Sequence, residues 1–112
     1  MTVPGGEANT QLINREALDA MKPAGVFINV SRGDVVDEEA LIDVLEAGQI
    51  AGAGLDVFEK EPFVPKRLLT LENAVLLPHL GTSALEVREQ MGQMAVDNIL
   101  AWSRGETPPQ LV

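Results

Sequence analysis

The sequence predicts an α/β protein: a short parallel sheet with helical crossovers. Three observations carry that expectation. Apolar runs of four to six residues recur at Gly25-Val26-Phe27-Ile28-Asn29-Val30, Ile50-Ala51-Gly52-Ala53-Gly54-Leu55 and Ala74-Val75-Leu76-Leu77. Stretches with helical spacing lie between them, and Gly or Pro punctuates nearly every junction. Strands that alternate with helices imply right-handed crossovers and parallel pairing.

In chain order, residues 1–9 have neither helical nor strand period, and Pro4-Gly5-Gly6 breaks the backbone, so this is loop. Asn14 is a good N-cap for a short helix running through Arg15-Glu16-Ala17-Leu18-Asp19-Ala20-Met21, which ends before Lys22-Pro23. The first strand is rich in β-branched residues, reads as buried, and runs into Ser31-Arg32-Gly33. Asp37-Glu38-Glu39 set acids at a helix N-terminus, where the dipole favours them. That helix repeats Leu41, Val44 and Leu45 at its apolar positions and stops at Gly48.

The second strand is small and uncharged until Asp56, as suits a strand buried on both faces. Its glycines permit close approach of a helix or a ligand. Beyond it stand Asp56, Glu59 and Glu61, closed by Pro62. A proline-bearing connection with a short helix around Lys66-Arg67-Leu68-Leu69 leads to the third strand, which ends at Pro78-His79-Leu80-Gly81. Ser83 is the expected cap of a long last helix reaching about Ser103, with Gly105 just past it. Met91, Met94, Ala95, Ile99 and Trp102 mark its apolar stripe, which reads as core packing. The tail holds Pro108-Pro109 and is extended. Three strands are few for a doubly wound sheet, and the opening loop resembles the exit of an earlier strand, so the chain has the look of half a sheet.

Composition narrows the function classes. The 112 residues suffice for one domain, and 46% hydrophobic with 4% aromatic residues implies an aliphatic core. No apolar run is long enough for a membrane span, and no signal-peptide pattern opens the chain. The absence of cysteine excludes a disulfide framework and thiolate metal sites. The net charge of −9 comes from 17 acids against 8 scattered bases, which speaks against a nucleic-acid partner. A cytoplasmic protein fits all of this.

Parallel strands bring their carboxyl ends to one edge, where ligands of open α/β sheets sit. That edge would carry Arg32 from the first strand, Asp56 and Glu61 from the second, and His79, the one histidine, from the third. Taken singly, each has an ordinary structural reading: Arg32 at a surface turn, Glu61 solvated, His79 packed beside Pro78. Together they form a chemically coherent set. A guanidinium grips a carboxylate through two parallel hydrogen bonds. An imidazole beside a carboxylate is favoured in its protonated form and can exchange a proton with an oxygen that gains and loses charge. Such a pair suits a small 2-oxo or 2-hydroxy acid, with hydride supplied by a cofactor, since no side chain can supply one.

The three motifs that carry these residues are Asn29-Val30-Ser31-Arg32-Gly33 with Val36-Asp37, Gly52-Ala53-Gly54-Leu55-Asp56-Val57-Phe58 with Glu61-Pro62, and Leu77-Pro78-His79-Leu80-Gly81. In this order they resemble the D-isomer-specific 2-hydroxyacid dehydrogenase family, and the resemblance covers essentially the whole chain. It implies the C-terminal half of a Rossmann-type doubly wound parallel sheet, three strands with a long C-terminal helix. By the same resemblance Arg32 binds the substrate carboxylate, His79 is the acid/base, and Glu61 is its carboxylate partner. NAD or NADP would be bound by Val3, Pro4, Val30, Ser31, Arg32, Asp56, His79 and Gly81, with Asp56 on the nicotinamide carboxamide. The opening Val3-Pro4-Gly5-Gly6 is most similar to the glyoxylate/hydroxypyruvate reductase-like members, which implies glyoxylate- or hydroxypyruvate-class substrates and a homodimer for the complete enzyme.

The sequence departs from the family pattern in one respect. It holds no GxGxxG phosphate loop, and the residue that selects NAD or NADP is not in it. Residues 1–104 are accordingly read as a partial dinucleotide-binding domain and residues 105–112 as a tail returning to a substrate domain. The chain by itself is expected not to turn over substrate, and apolar surface is expected where further strands would pair with the first. Two other readings stay open: a non-catalytic dinucleotide-sensing scaffold, and a truncated or split product that acts only by association.

Overall fold

Because Val26–Asn29 (β1), Gly52–Leu55 (β2) and Ala74–Leu76 (β3) hydrogen-bond side by side, the core of the molecule is a three-stranded sheet in the order β1-β2-β3. Both pairings are parallel, with Asn29 opposite Leu55 and Leu55 opposite Leu76. A computed structural model describes residues 1–111 of the chain and divides into two units, Met1–Leu80 and Gly81–Val112.

The first unit contains the sheet and three helices, Arg15–Asp19 (α1), Glu38–Glu46 (α2) and Lys66–Leu69 (α3). Two are capped as their sequences require: Asn14 Oδ1 accepts from Ala17 N at 3.0 Å and Asp37 Oδ1 from Ala40 N at 3.0 Å. Gly48, with φ 65°, lies just past the end of α2. The apolar face of α2 (Ala40, Leu41, Val44, Leu45) packs with Leu18, Phe27, Ile50, Ala53, Leu55 and Leu68 into one buried cluster. Arg67 Nη1 and Nη2 reach Glu39, Asp43 and Glu46 at 3.0, 2.7 and 2.6 Å, tying α3 to α2. Glu46 and Asp43 raise the affinity of Arg67 for its proton, and the guanidinium holds Glu46 below the usual carboxylate range.

The central strand β2 is covered as expected, and its glycines make room for the residues beside it. A Cβ on Gly52 would stand 2.6 Å from the Asn73 carbonyl oxygen, and one on Gly54 2.9 Å from Ile28 Cδ1. The burial expected for β1 is only half right. Phe27 and Asn29 point into the core, while Val26, Ile28 and Val30 are 57, 48 and 55% exposed. The helices of this unit cover one face of the sheet, and strand alternation turns every second β1 side chain to the other. Val75 and Leu77 of the third strand's run share that exposure. Along the free edge of β1, the Met1 amino group donates to Ile28 O at 2.7 Å and Val30 N donates to Met1 O at 3.4 Å, as the exit of a neighbouring strand would.

The second unit is built on one helix, Leu85–Ser103 (α4). Its N-cap is Ala84 without a side-chain bond, so Ser83 is not the cap. Gly105 follows at φ 74°, Glu106 N donates to Ala101 O at 3.0 Å, and Gln110 N donates to Asn98 Oδ1 at 3.1 Å, which folds the tail against the helix end. The apolar stripe is not core: Met91, Met94, Ile99 and Trp102 are 53, 46, 65 and 75% exposed and Ala95 is exposed too. A single helix has no second layer of its own to bury a stripe against. No helix among the described residues is long and apolar enough to cross a membrane.

The uncovered sheet face predicts solution behaviour. The chain should enhance the fluorescence of a hydrophobic dye such as ANS at neutral pH, and the triple change Val26→Thr, Ile28→Thr, Val30→Thr should lower that signal. Threonine keeps the strand propensity, so the far-UV circular dichroism should stay the same. An unchanged dye signal would mean that this face is closed in solution.

Candidate active site

The parallel register sets the strand exits level: Asp56 N donates to Asn29 O at 3.0 Å and Leu77 N to Leu55 O at 2.8 Å. The chain leaves β1 through a turn that Asn29 holds. Its buried side chain accepts from Ser31 N at 3.1 Å and Ser31 Oγ at 2.9 Å and donates to Arg32 O at 2.9 Å. All of its polar groups are thus spent on shaping residues 30–32, which fixes where the Arg32 side chain starts. The Arg32 guanidinium itself donates to Ser31 O at 2.7 Å.

After β2, Asp56 is buried and its Oδ1 accepts from Leu80 N at 2.6 Å, pinning the loop that follows the third strand. Within that loop His79 has φ 54°, in the left-handed region that costs most L-residues about 1 kcal/mol or more. This backbone turns the imidazole to Glu61: His79 Nδ1 lies 2.8 Å from Glu61 Oε2. The other Glu61 oxygen accepts from Phe58 N at 3.0 Å. The hydrogen bond with His79 holds the Glu61 carboxyl below the usual glutamate range; burial opposes it, and the Phe58 amide and the charges of His79 and Arg32 add to the lowering. The stability this brings is present above the ordinary glutamate range and is lost as pH falls through the depressed value.

A cleft of about 570 Å³ joins these groups, lined by Arg32, Glu61 and His79 together with Gly5, Asp34 and Lys60. Asp34 Oδ2 accepts from Gly6 N at 3.1 Å, while its buried Oδ1 has no partner among the described residues. A second cavity of about 460 Å³ adjoins it, with Val3, Pro4, Gly5, Val30, Ser31 and Arg32 in its wall. Of the residues read from the sequence, Arg32, Glu61 and His79 therefore meet in one cleft, and Val3, Pro4, Val30 and Ser31 meet beside it. Asp56 underlies the His79 loop, and Gly81 belongs to the second unit. No group of three or more His, Asp or Glu among the described residues could hold a metal.

Sequence reasoning missed Asn29, Gly33 and Glu38. Gly33 is buried where a Cβ would coincide with the Phe58 carbonyl group and collide with Glu59 N, so the loop bearing Glu61 rests directly on its α-carbon. Glu38, also buried, accepts from Glu59 N at 3.1 Å through Oε2. Gly33 was visible as part of a motif but had no chemistry of its own. Glu38 had the look of one more helix-start acid.

Comparison with known proteins identifies the family of the chain. Residues 1–81 match the family described as D-isomer specific 2-hydroxyacid dehydrogenase, NAD binding domain. The chain is 47% identical to a glyoxylate reductase of Pyrococcus furiosus over 112 residues, which is 100% of this chain and 33% of that protein. It is 50% identical to a hydroxyphenylpyruvate reductase of Plectranthus scutellarioides over 97 residues, 87% of this chain and 31% of that one. Among solved structures, an NADPH-dependent glyoxylate/hydroxypyruvate reductase from Sinorhizobium meliloti, crystallised with NADP and malonate, superposes with a TM-score of 0.88 at 48% identity, covering 90% of this chain and 32% of that chain. The chain thus spans about a third of the length of the relatives it matches.

Gly33→Ala should destabilise the chain by about 1–3 kcal/mol, the usual penalty of overpacking, read as a lower urea midpoint at unchanged m-value. Wild-type stability in this variant would mean that the 58–59 backbone can retreat from residue 33.

Proposed function

The chain belongs to the NAD-binding domain of the D-isomer-specific 2-hydroxyacid dehydrogenases, and we propose that the protein it forms part of reduces a small 2-oxo acid to the D-2-hydroxy acid, and runs the reverse reaction, with NAD or NADP. The observation that carries this reading is the His79–Glu61 pair sharing a cleft with Arg32. An acid/base and an anion grip in one cleft are the two groups a carbonyl-bearing carboxylate requires.

The role of each group follows from its contacts. Arg32 would take the substrate carboxylate, its planar fork matching two oxygens. Glu61 holds Nδ1 of His79, which leaves Nε2 to meet the substrate oxygen. In reduction, Nε2 gives a proton to the oxygen as it gains negative charge, and in oxidation it takes the proton back from the hydroxyl. Glu61 stays ionised throughout the neutral range, since its carboxyl is held low, and so keeps an acceptor opposite Nδ1.

The second cavity supports the coenzyme assignment. Its wall of Val3, Pro4 and Val30 suits the face of a heteroaromatic ring, and Ser31 adds a polar group. Arg32 and Gly5 line both cavities, so a ring held in one lies beside an acid held in the other. A nicotinamide bound there would supply the hydride that no side chain carries. Asp56, His79 and Gly81 complete the proposed coenzyme set. The glyoxylate or hydroxypyruvate class of substrate, a homodimeric assembly, a cytoplasmic location and the return of residues 105–112 to a substrate domain belong to the same proposal, supported by the likeness to reductases of those acids.

The test uses the chain joined to the remaining two thirds of a glyoxylate reductase relative. His79→Ala should lower kcat for glyoxylate reduction by about 10² to 10⁴-fold, the range of general acid catalysis. Glu61→Ala should also lower kcat, because nothing then holds Nδ1 of His79 and aims Nε2 at the substrate oxygen. A His79→Ala or Glu61→Ala enzyme with wild-type kcat would overturn the assignment.

A further inference from the structure

Glu61 is only useful to His79 if the loop that bears it keeps its shape. Residues 56–63 carry no helix or strand, and both Glu61 oxygens are committed, one to His79 Nδ1 at 2.8 Å and one to Phe58 N at 3.0 Å. The second bond closes a tight turn across residues 58–61, so a shift of the 58–59 backbone moves the carboxylate. That backbone is held from outside the loop on two sides: against the α-carbon of Gly33, and by Glu38 Oε2, which accepts from Glu59 N at 3.1 Å.

Glu38 is an unusual residue for this place. It is 9% exposed, on the first turn of α2. Burial holds its carboxyl above the usual glutamate range, opposed by the bond from the Glu59 amide. The charged groups that face it are Glu59 and Glu39, which disfavour its ionised form, and Lys60, which favours it. A carboxyl raised in the folded state gives most stability when protonated, and that contribution falls as pH rises through the raised value. A carboxyl is thus buried where an aliphatic side chain would avoid the cost of desolvation.

We propose that Glu38 is a positioning residue for the His79–Glu61 pair: by gripping the Glu59 amide from α2, it fixes the turn that presents Glu61 to Nδ1. This rests on the reading of that pair as the acid/base site. The path is continuous, from Glu38 Oε2 to the Glu59 amide, across one peptide to the Phe58 amide, into Glu61 and on to His79. It links α2, which carries none of the reacting groups, to the ring that moves the proton. What matters at position 38 is an acceptor and not a charge, so glutamine should serve.

His79 is the one histidine in the chain, so its ring nitrogens are unambiguous in ¹⁵N NMR. At pH well above the imidazole range, the ring is neutral and its two nitrogens report the tautomer. The wild-type chain should hold the proton on Nδ1, toward Glu61, the reverse of the tautomer favoured by a free imidazole in water. Glu61→Ala should return the ring to the Nε2–H form. Glu38→Ala should move it most of the way to that same form, and Glu38→Gln should restore the wild-type signature. If Glu61→Ala changes the tautomer and Glu38→Ala does not, this proposal falls while the acid/base pair stands. If neither changes it, the pair itself is wrong and both fall. Should Glu38→Ala fail to fold, the wild type still decides: the Glu59 amide proton must follow a carboxyl titration that disappears in Glu38→Gln. An amide shift insensitive to that substitution would overturn the proposal.

Discussion

Parallel pairing of β2 with both of its neighbours is the constraint on which the rest of the molecule depends. With Asn29, Leu55 and Leu76 in register, three separate chain exits start from one line, and the functional side chains need only short loops to meet. A slip of one residue would exchange the two faces of a strand, sending Phe27 out of the core and breaking the side-chain turn of Asn29 at once. The register is protected by fit. Gly52 and Gly54 leave room for Asn73 O and Ile28 Cδ1, and a strand shifted by one would set Ala53 against contacts that admit no Cβ.

The two fixed ends of the site differ in how they are held. Arg32 sits on a turn organised by a side chain of its own strand, Asn29. Glu61 and His79 sit on loops held by groups from other elements: Asp56 grips Leu80 N, Glu38 grips Glu59 N, and Gly33 fills the gap under Phe58. The proposed anion grip is thus a local structure and the proposed proton-transfer pair a tertiary one. Loss of helix packing would disable the second well before the first.

This difference also explains what could be read from the sequence. Arg32, Asp56, Glu61 and His79 were legible because each follows an apolar run by a few residues, and strand ends of a parallel sheet share an edge. The cap Asn14 was legible because capping is local, whereas Asp37, the cap of α2, was read only as a helix-start acid. Asn29 and Glu38 were not, because their work is hydrogen bonding to backbone far from any motif signal of their own. Nor was the exposure of Val26, Ile28 and the α4 stripe: an apolar side chain states that it needs cover, but not which element supplies it. Ser83 misled for a similar reason, since a good capping residue one position early is indistinguishable from the real boundary.

The left-handed backbone at His79 has an evolutionary consequence. Among L-residues, asparagine, aspartate and histidine tolerate that conformation best, and a single base change converts a histidine codon to either of the other two. Drift at this position can therefore remove the proposed proton carrier while the loop, its hold on Asp56 and the sheet beneath survive. A lineage that lost the reaction in this way would keep a folded dinucleotide-type domain free to acquire another use. The histidine is replaceable for architecture and, in the proposed reaction, irreplaceable for chemistry, so its identity in a relative separates the two histories better than overall similarity does.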